Sequence, residues 1–247
     1  MTEQKKVALI SGANKGIGFE TARQLGQLGI IVLLGSRDRA KGEQAAEKLR
    51  SEGIDVRGVK LDVVAAEDIA AVAETIEREF GKLDVLINNA GIMVDSGDMM
   101  SNNVTTVTPE ELRTTFDTNF FAVVAITQAL LPLIRKSEAG RIVNVSSILG
   151  SNTLHASPNS PIYNAKLFAY DASKTALNSF TVHLAHALRD TKIKVNSAHP
   201  GWVKTEMGTE SATMEIVDGA KTEVDLATLP EDGPHGSYIH LGKTLPW

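Results

Sequence analysis

The chain has 247 residues, is 43% hydrophobic and contains no cysteine, so it can bury a sizeable core but has no disulfides, thiolate nucleophiles or cysteine-ligated metals. A formal net charge of −5 argues against a surface for nucleic acid or anionic lipid and leaves small molecules as the expected partners. Residues 1–6 are polar and the apolar run behind them is too short for a signal segment or a membrane span, so a cytoplasmic protein is expected.

Residues 7–10 read as a strand that stops at Ser11-Gly12-Ala13-Asn14-Lys15-Gly16-Ile17-Gly18, after which Phe19, Ala22, Leu25 and Leu28 recur at helical spacing. Gly12, Gly16 and Gly18 let the main chain bend sharply and come close to a ligand, and the helix start offers unpaired N–H groups to a pyrophosphate. The spacing, G-x-x-x-G-x-G, departs from the G-x-G-x-x-G fingerprint. A second strand, 30–34, ends at Gly35-Ser36-Arg37-Asp38. An acid at such a strand end bonds a ribose 2′-hydroxyl, whereas an arginine accommodates a 2′-phosphate. Arg37 holds that place and Lys15 adds a second positive charge, which reads as NADP(H) over NAD(H).

Ala45, Ala46 and Leu49 mark a helix closing at Gly53, and Val59, Leu61 and Val63 alternate as a strand around Asp62, placed to reach an adenine. Ile69, Val72, Ala73, Ile76 and Phe80 form the apolar stripe of a third helix, and strand 83–87 runs into Asn88-Asn89-Ala90-Gly91. Strands alternating with helices of this length imply parallel pairing with right-handed crossovers. The expected fold is α/β: one doubly wound parallel sheet of the Rossmann type, helices on both faces, a single domain over 1–247.

Residues 92–108 are polar and irregular, with Met99-Met100 and Asn102-Asn103, as at the margin of a site. Thr108-Pro109-Glu110-Glu111 is a capping box with proline at the first helical position, opening a long helix whose Leu112, Phe116, Phe120, Val123 and Ile126 face the sheet. Asn119 falls within that apolar face and needs buried partners. Strand 141–147 places Ser146 and Ser147 at its C-terminal end, where open α/β sheets hold ligands. A loop-like stretch with Pro158 and Pro161 leads to a helix that begins at Tyr170-Asp171-Ala172-Ser173-Lys174 and continues through Leu177, Phe180, Leu184 and Leu188. A phenol and an ammonium four residues apart share one helix face. A cation that near would bring the phenol down from about pH 10, ready to exchange a proton with an alcohol or carbonyl oxygen. His183 and His186 lie three apart, but nothing is placed to complete a site with them and no metal is expected. Residues 193–198 form a strand closed by His199-Pro200-Gly201-Trp202-Val203-Lys204-Thr205, and 236–241 a last short strand.

In this order the glycine turn, Asn88-Asn89-Ala90-Gly91, Asn119, Ser147, and Tyr170 with Lys174 resemble the short-chain dehydrogenase/reductase family over essentially the whole chain. Asn14-Lys15-Gly16-Ile17-Gly18, Ser36-Arg37-Asp38, Pro200-Gly201-Trp202-Val203 and Gly233-Pro234-His235-Gly236 look like its NADPH-dependent carbonyl reductases. The resemblance implies that Tyr170 is the acid/base, that Lys174 lowers its pKa and binds the nicotinamide ribose, that Ser147 holds the substrate oxygen, and that Asn119 supports a water-mediated proton relay. Ser147 is preferred to Ser146 because Ser147-Ile148-Leu149-Gly150 fits the family's S-x-x-G context and Ser146 would face the other side of the strand.

For the cofactor, the resemblance implies Gly12, Asn14, Lys15, Gly16, Ile17, Gly18 and Arg37 at the pyrophosphate and 2′-phosphate. Asp62 and Val63 would border the adenine, Asn89, Ala90 and Gly91 the middle, and Pro200, Gly201, Val203 and Thr205 the nicotinamide. The implied reaction is the reversible NADPH-dependent reduction of a ketone or aldehyde to an alcohol. A catalytically silent NADP(H) sensor on the same fold and an NAD-linked alcohol dehydrogenase are the alternatives.

Three departures stand out. Ser11 replaces the family's usual threonine but keeps a hydroxyl, and Ala122 stands where the family has glycine. Ser147 and Tyr170 are 23 residues apart, farther than in the family's shortest members, so an insertion lies between them. Tyr163 is nearer the usual distance, but its nearest lysine, Lys166, is three residues on and no helical pattern starts there. In similar carbonyl reductases a larger insertion covers the faces through which relatives form tetramers, so monomer and homo-oligomer both stay open here.

Overall fold

The computed structural model describes residues 5–95 and 104–247; the methionine and asparagine pairs at 99–103 lie outside them. Seven parallel strands, β1 (Val7–Ile10), β2 (Ile31–Ser36), β3 (Val56–Lys60), β4 (Val85–Asn88), β5 (Arg141–Val145), β6 (Lys194–Ala198) and β7 (Ser237–His240), are joined by β8 (Lys243–Thr244), which folds back antiparallel on β7. The order in the sheet is β3-β2-β1-β4-β5-β6-β7-β8. It reverses at β1, which pairs with both β2 and β4, and the crevice at the C-terminal ends of these strands is where such sheets bind ligands.

The connecting helices are α1 (Gly16–Gln27), α2 (Arg39–Ser51), α3 (Ala66–Phe80), α4 (Pro109–Phe116), α5 (Ala122–Ile134), α6 (Asn152–Ala156), α7 (Phe168–Ala187), α8 (Ile216–Gly219) and α9 (Lys221–Ala227). Two apolar layers result. Ala8, Ile10, Val32 and Leu34 pack with Ala22, Leu25, Leu49 and Leu226 under α1, α2 and α9. Val7, Leu9, Leu33 and Leu86 pack with Ile69, Ile76, Ile126, Leu130 and Ala185 under α3, α5 and α7. Cover on both faces is why the central strands read as unbroken apolar runs.

Several expectations need correction. Leu28 lies past the end of α1 and is 61% exposed. The strand expected around Asp62 stops at Lys60, because the Asp68 carboxylate takes the Asp62 N–H (2.7 Å) and draws the chain into α3. The long helix opens as expected, with the reciprocal Thr108–Glu111 cap and Pro109 in its first turn, but a π turn at Asp117–Phe121 splits it. That extra residue shifts the apolar stripe, so Leu112, Phe116 and Phe120 are only half-buried while Val123 and Ile126 are fully covered. The stretch expected to be loop before Tyr170 contains α6, and the catalytic-helix candidate starts at Phe168. Among the described residues one helical run, 109–134, is long and apolar enough to cross a membrane by length and composition. Its second half supplies Ile126, Leu130 and Ile134 to the core.

Candidate active site

The glycine turn is tied to the loop beyond β4 before any ligand is considered. Ser11 Oγ accepts the N–H of Asn89 (3.1 Å) and of Ala90 (3.0 Å), and the Asn89 amide donates to the carbonyls of Ser11 (2.8 Å) and Gly12 (3.1 Å). Gly12 has φ +63°, and a Cβ on it would stand 2.9 Å from Ala90 Cα. Its glycine therefore serves the protein's own packing as well as any ligand. Gly16, with φ +59°, opens α1, whose start has neither a side-chain cap nor an acidic residue in its first turn. Among the described residues the N–H groups of Gly16, Ile17 and Gly18 have no side-chain acceptor, and half-buried Asn14 lies beside them.

Two cations rim this opening. Lys15 is exposed and ion-paired with Glu206, and Arg37, exposed at the end of β2, has no ion-pair partner among the described residues. Asp38 turns away, accepting the Lys41 N–H (3.0 Å) to cap α2. Asp62 and Val63 follow β3, both half-buried. From β6 the loop through Pro200, Gly201, Val203 and Thr205 arches back over the opening: Pro200 and Val203 are buried, Val203 bridges to Met214, and a Cβ on Gly16 would lie 3.6 Å from Thr205 Cγ2.

The second wall is more buried: Asn119, Tyr170 and Lys174 are covered and Ser147 is half-buried. β5 delivers Ser147 in extended conformation just before a single 3-10 turn, where its Oγ accepts the Leu149 N–H (3.3 Å). Tyr170, 8% exposed, comes from the first turn of α7 and has the Ser147 hydroxyl as its side-chain hydrogen-bond neighbour. One turn on, Lys174 is 4% exposed, donates to the Val145 carbonyl (2.8 Å) and holds its Nζ 5.5 Å from the Tyr170 ring centre. Asn119, wholly buried in the π turn, exchanges hydrogen bonds with the Ile92 main chain in both directions (2.8 Å each) and donates to Ser173 Oγ (3.0 Å). Gly91 lies against this group: a Cβ there would be 3.4 Å from both Asn119 Oδ1 and Lys174 Nζ. Tyr163 has no part in it, being 40% exposed with Lys166 Nζ 5.3 Å from its ring centre. His183 and His186 are both exposed.

The electrostatics correct one expectation. The phenol is not lowered: burial pushes Tyr170 up to about 12, the Ser147 hydrogen bond opposing and Asp171 adding to the rise. Lys174 is itself pushed down to about 8 by burial, Glu223 opposing, and its ammonium is turned to a carbonyl rather than to the phenol oxygen. Desolvation outweighs the neighbouring cation.

Three contributors carried no sequence signal beyond residue type. Both Asp95 oxygens cap the start of α7 through the N–H groups of Ala169 (3.0 Å) and Tyr170 (3.2 Å). Glu223 on α9 is fully buried, with Oε2 accepting from Thr21 Oγ1 (2.8 Å) and Oε1 without a partner among the described residues. His199 accepts main-chain N–H groups from either side of the site. The glycine turn, the uncapped start of α1 and the two rim cations together form a donor set that fits a dinucleotide bearing a 2′-phosphate.

A family profile for short chain dehydrogenases matches residues 6–216. Carbonyl reductase (NADPH) 1 of Mus musculus is 33% identical over 293 aligned positions that cover 100% of both chains. The NADPH-bound carbonyl reductase from chicken fatty liver superposes with a TM-score of 0.84 at 28% identity, covering 99% of this chain and 100% of that one. Salutaridine reductase from Papaver somniferum gives a TM-score of 0.80 at 30% identity, covering 95% and 99%.

Proposed function

The chain belongs to the short-chain dehydrogenase family, and from that premise we propose that it reduces a ketone or aldehyde to an alcohol with NADPH, Tyr170 giving the proton. It is an NADP-dependent oxidoreductase, in line with relatives that are carbonyl reductases by name. When bound, NADPH supplies the hydride taken up by the carbonyl carbon. Lys15 and Arg37 would hold the 2′-phosphate, the N–H groups at the start of α1 the pyrophosphate, and Asp62 and Val63 the adenine. Asn89, Ala90 and Gly91 would line the middle, Lys174 and Tyr170 the nicotinamide ribose, and Pro200, Gly201, Val203 and Thr205 the nicotinamide.

As hydride arrives, negative charge grows on the carbonyl oxygen, and donors already aimed at it lower the barrier most. Ser147 Oγ and the Tyr170 phenol are the two donors. A phenol held up to about 12 keeps its proton at working pH and can deliver it to the forming alkoxide, which suits the reducing direction. Lys174 stands behind the phenol to replenish it. Both ends of the Asn119 amide are already bonded, so this residue supports the relay by fixing Ile92 and Ser173 around Lys174.

The observation that carries the proposal is the buried Tyr170 phenol with the half-buried Ser147 hydroxyl as its hydrogen-bond neighbour and Lys174 one turn away. Ser147, Tyr170 and Lys174 are all present, which weighs against a silent sensor. The test is absorbance loss of NADPH, and separately of NADH, with a panel of aldehydes and ketones. Consumption of NADPH well above NADH is expected. No consumption with any carbonyl, in protein that binds NADPH, would overturn the reading.

A further inference from the structure

The ladder between β5 and β6 ends at the pair Val145 and Ala198. The Ser146 N–H still reaches the Ala198 carbonyl (2.8 Å), and the next N–H, that of His199, belongs to the β6–β7 ladder through Ile239 (2.8 Å). Past these bonds no main-chain hydrogen bond joins the two segments among the described residues, and a side chain links them instead. His199 Nδ1 accepts the N–H of Ile148 (3.2 Å), the residue after Ser147, and the N–H of Gly201 (3.4 Å), in the loop assigned to the nicotinamide.

A nitrogen that accepts two N–H groups carries no proton, so the ring is the Nε2–H tautomer. Burial, with His240 second, holds His199 neutral, down at about 3. His240 is arranged the opposite way: its Nδ1 donates to the His199 carbonyl (2.8 Å), and its ring lies 4.7 Å from that of His199. Gly201, at φ +100°, leaves room for Met214 and for this packing, since a Cβ on it would run into Met214 Sδ and stand 3.3 Å from His240 Cε1.

We propose that His199 is a positioning residue whose imidazole clamps the turn presenting Ser147 to the loop beside the nicotinamide, and so sets the distance between the carbonyl-oxygen site and the hydride donor. The proposal rests on the reading of Ser147 and Gly201 given under Proposed function. Its physical basis is that small misplacements of reacting groups cost rate steeply, and that the strands themselves no longer hold the two segments together.

Three variants separate the hydrogen bonds from packing. His199→Asn puts Oδ1 near the position of Nδ1, His199→Leu fills the space without an acceptor, and His199→Ala removes both. Each is measured in the full chain for kcat and KM with NADPH and para-nitrobenzaldehyde, or whichever carbonyl probe the wild type reduces fastest. NADPH affinity is followed by fluorescence, and amide hydrogen exchange at Ile148 and Gly201 by NMR. Leu and Ala should lower kcat about tenfold or more, leave KM nearly unchanged and speed exchange at both amides, whereas Asn should recover most of kcat and of the protection. Wild-type kcat in the Leu variant, or equal losses in Asn and Leu, overturns the clamp while the reductase reading stands. A wild type that binds NADPH yet reduces no carbonyl sinks the reductase reading, and with it the catalytic role of His199, even if exchange still separates Asn from Leu.

Discussion

The wall proposed to face the substrate and the rim proposed to face the 2′-phosphate are built on opposite plans. In the wall, Asn119, Lys174 and Tyr170 are buried, and each polar group is tied to a carbonyl, a main-chain amide or a hydroxyl. In the rim, Lys15, Arg37 and Glu206 are exposed, and the one link between them is the Lys15–Glu206 ion pair. Buried polar groups must find partners, and those partners fix geometry. Exposed charges fix little and can change partner at small cost, so Lys15 can leave Glu206 for a phosphate. The wall should therefore set rate, and the rim affinity.

Ser147→Ala puts the most strain on this division. It should lower kcat by about 10²- to 10³-fold while NADPH affinity, read by fluorescence titration, shifts by less than about twofold; a variant losing affinity and rate alike would break the separation. Next in size, Arg37→Asp should weaken NADPH binding by about tenfold or more, leave NADH almost untouched and spare kcat. Its effect should shrink with added salt, as expected of an exposed charge.

The plan of the wall extends behind it to Glu223, and there pH is the probe. Burial raises this carboxyl to about 8, with the Thr21 hydrogen bond and Lys174 opposing. A raised carboxyl favours the folded state below its ordinary pKa, and that stability is lost as pH climbs to about 8. The melting temperature should therefore fall between pH 5 and 8.5 by on the order of a few degrees. Glu223→Gln should flatten the fall, leaving the share of Asp171, which burial raises to about 7. The smallest effect belongs to Glu206→Gln, which frees Lys15 and should tighten NADPH binding by less than about fivefold without touching kcat.

How much of this was legible in the sequence depends on whether periodicity or a long-range contact carries the signal. The run 7–10, its glycine turn and the stripe of α3 declared themselves, because a strand covered on both faces and an amphipathic helix leave their periods in the chain. Asn119 was marked by sitting in an apolar face, though not the Ile92 main chain and Ser173 as its partners. Tyr170 and Lys174 could be paired by helical spacing, but the sign of the phenol's shift depends on burial, which spacing does not encode. Short helices such as α8, with four residues, have too few turns for a pattern. His199, Asp95 and Glu223 act on segments 51, 74 and 202 residues away, contacts that exist only once the sheet has assembled.

The most direct test of the central claim is single-turnover oxidation of bound NADPH by a saturating carbonyl probe in wild type and in Tyr170→Phe, which keeps the ring and deletes the proton. The wild type should turn over, and the variant, with NADPH bound as tightly, should be slower by about 10²- to 10⁴-fold. A Tyr170→Phe protein that consumes NADPH at the wild-type rate would show that the proton comes from elsewhere.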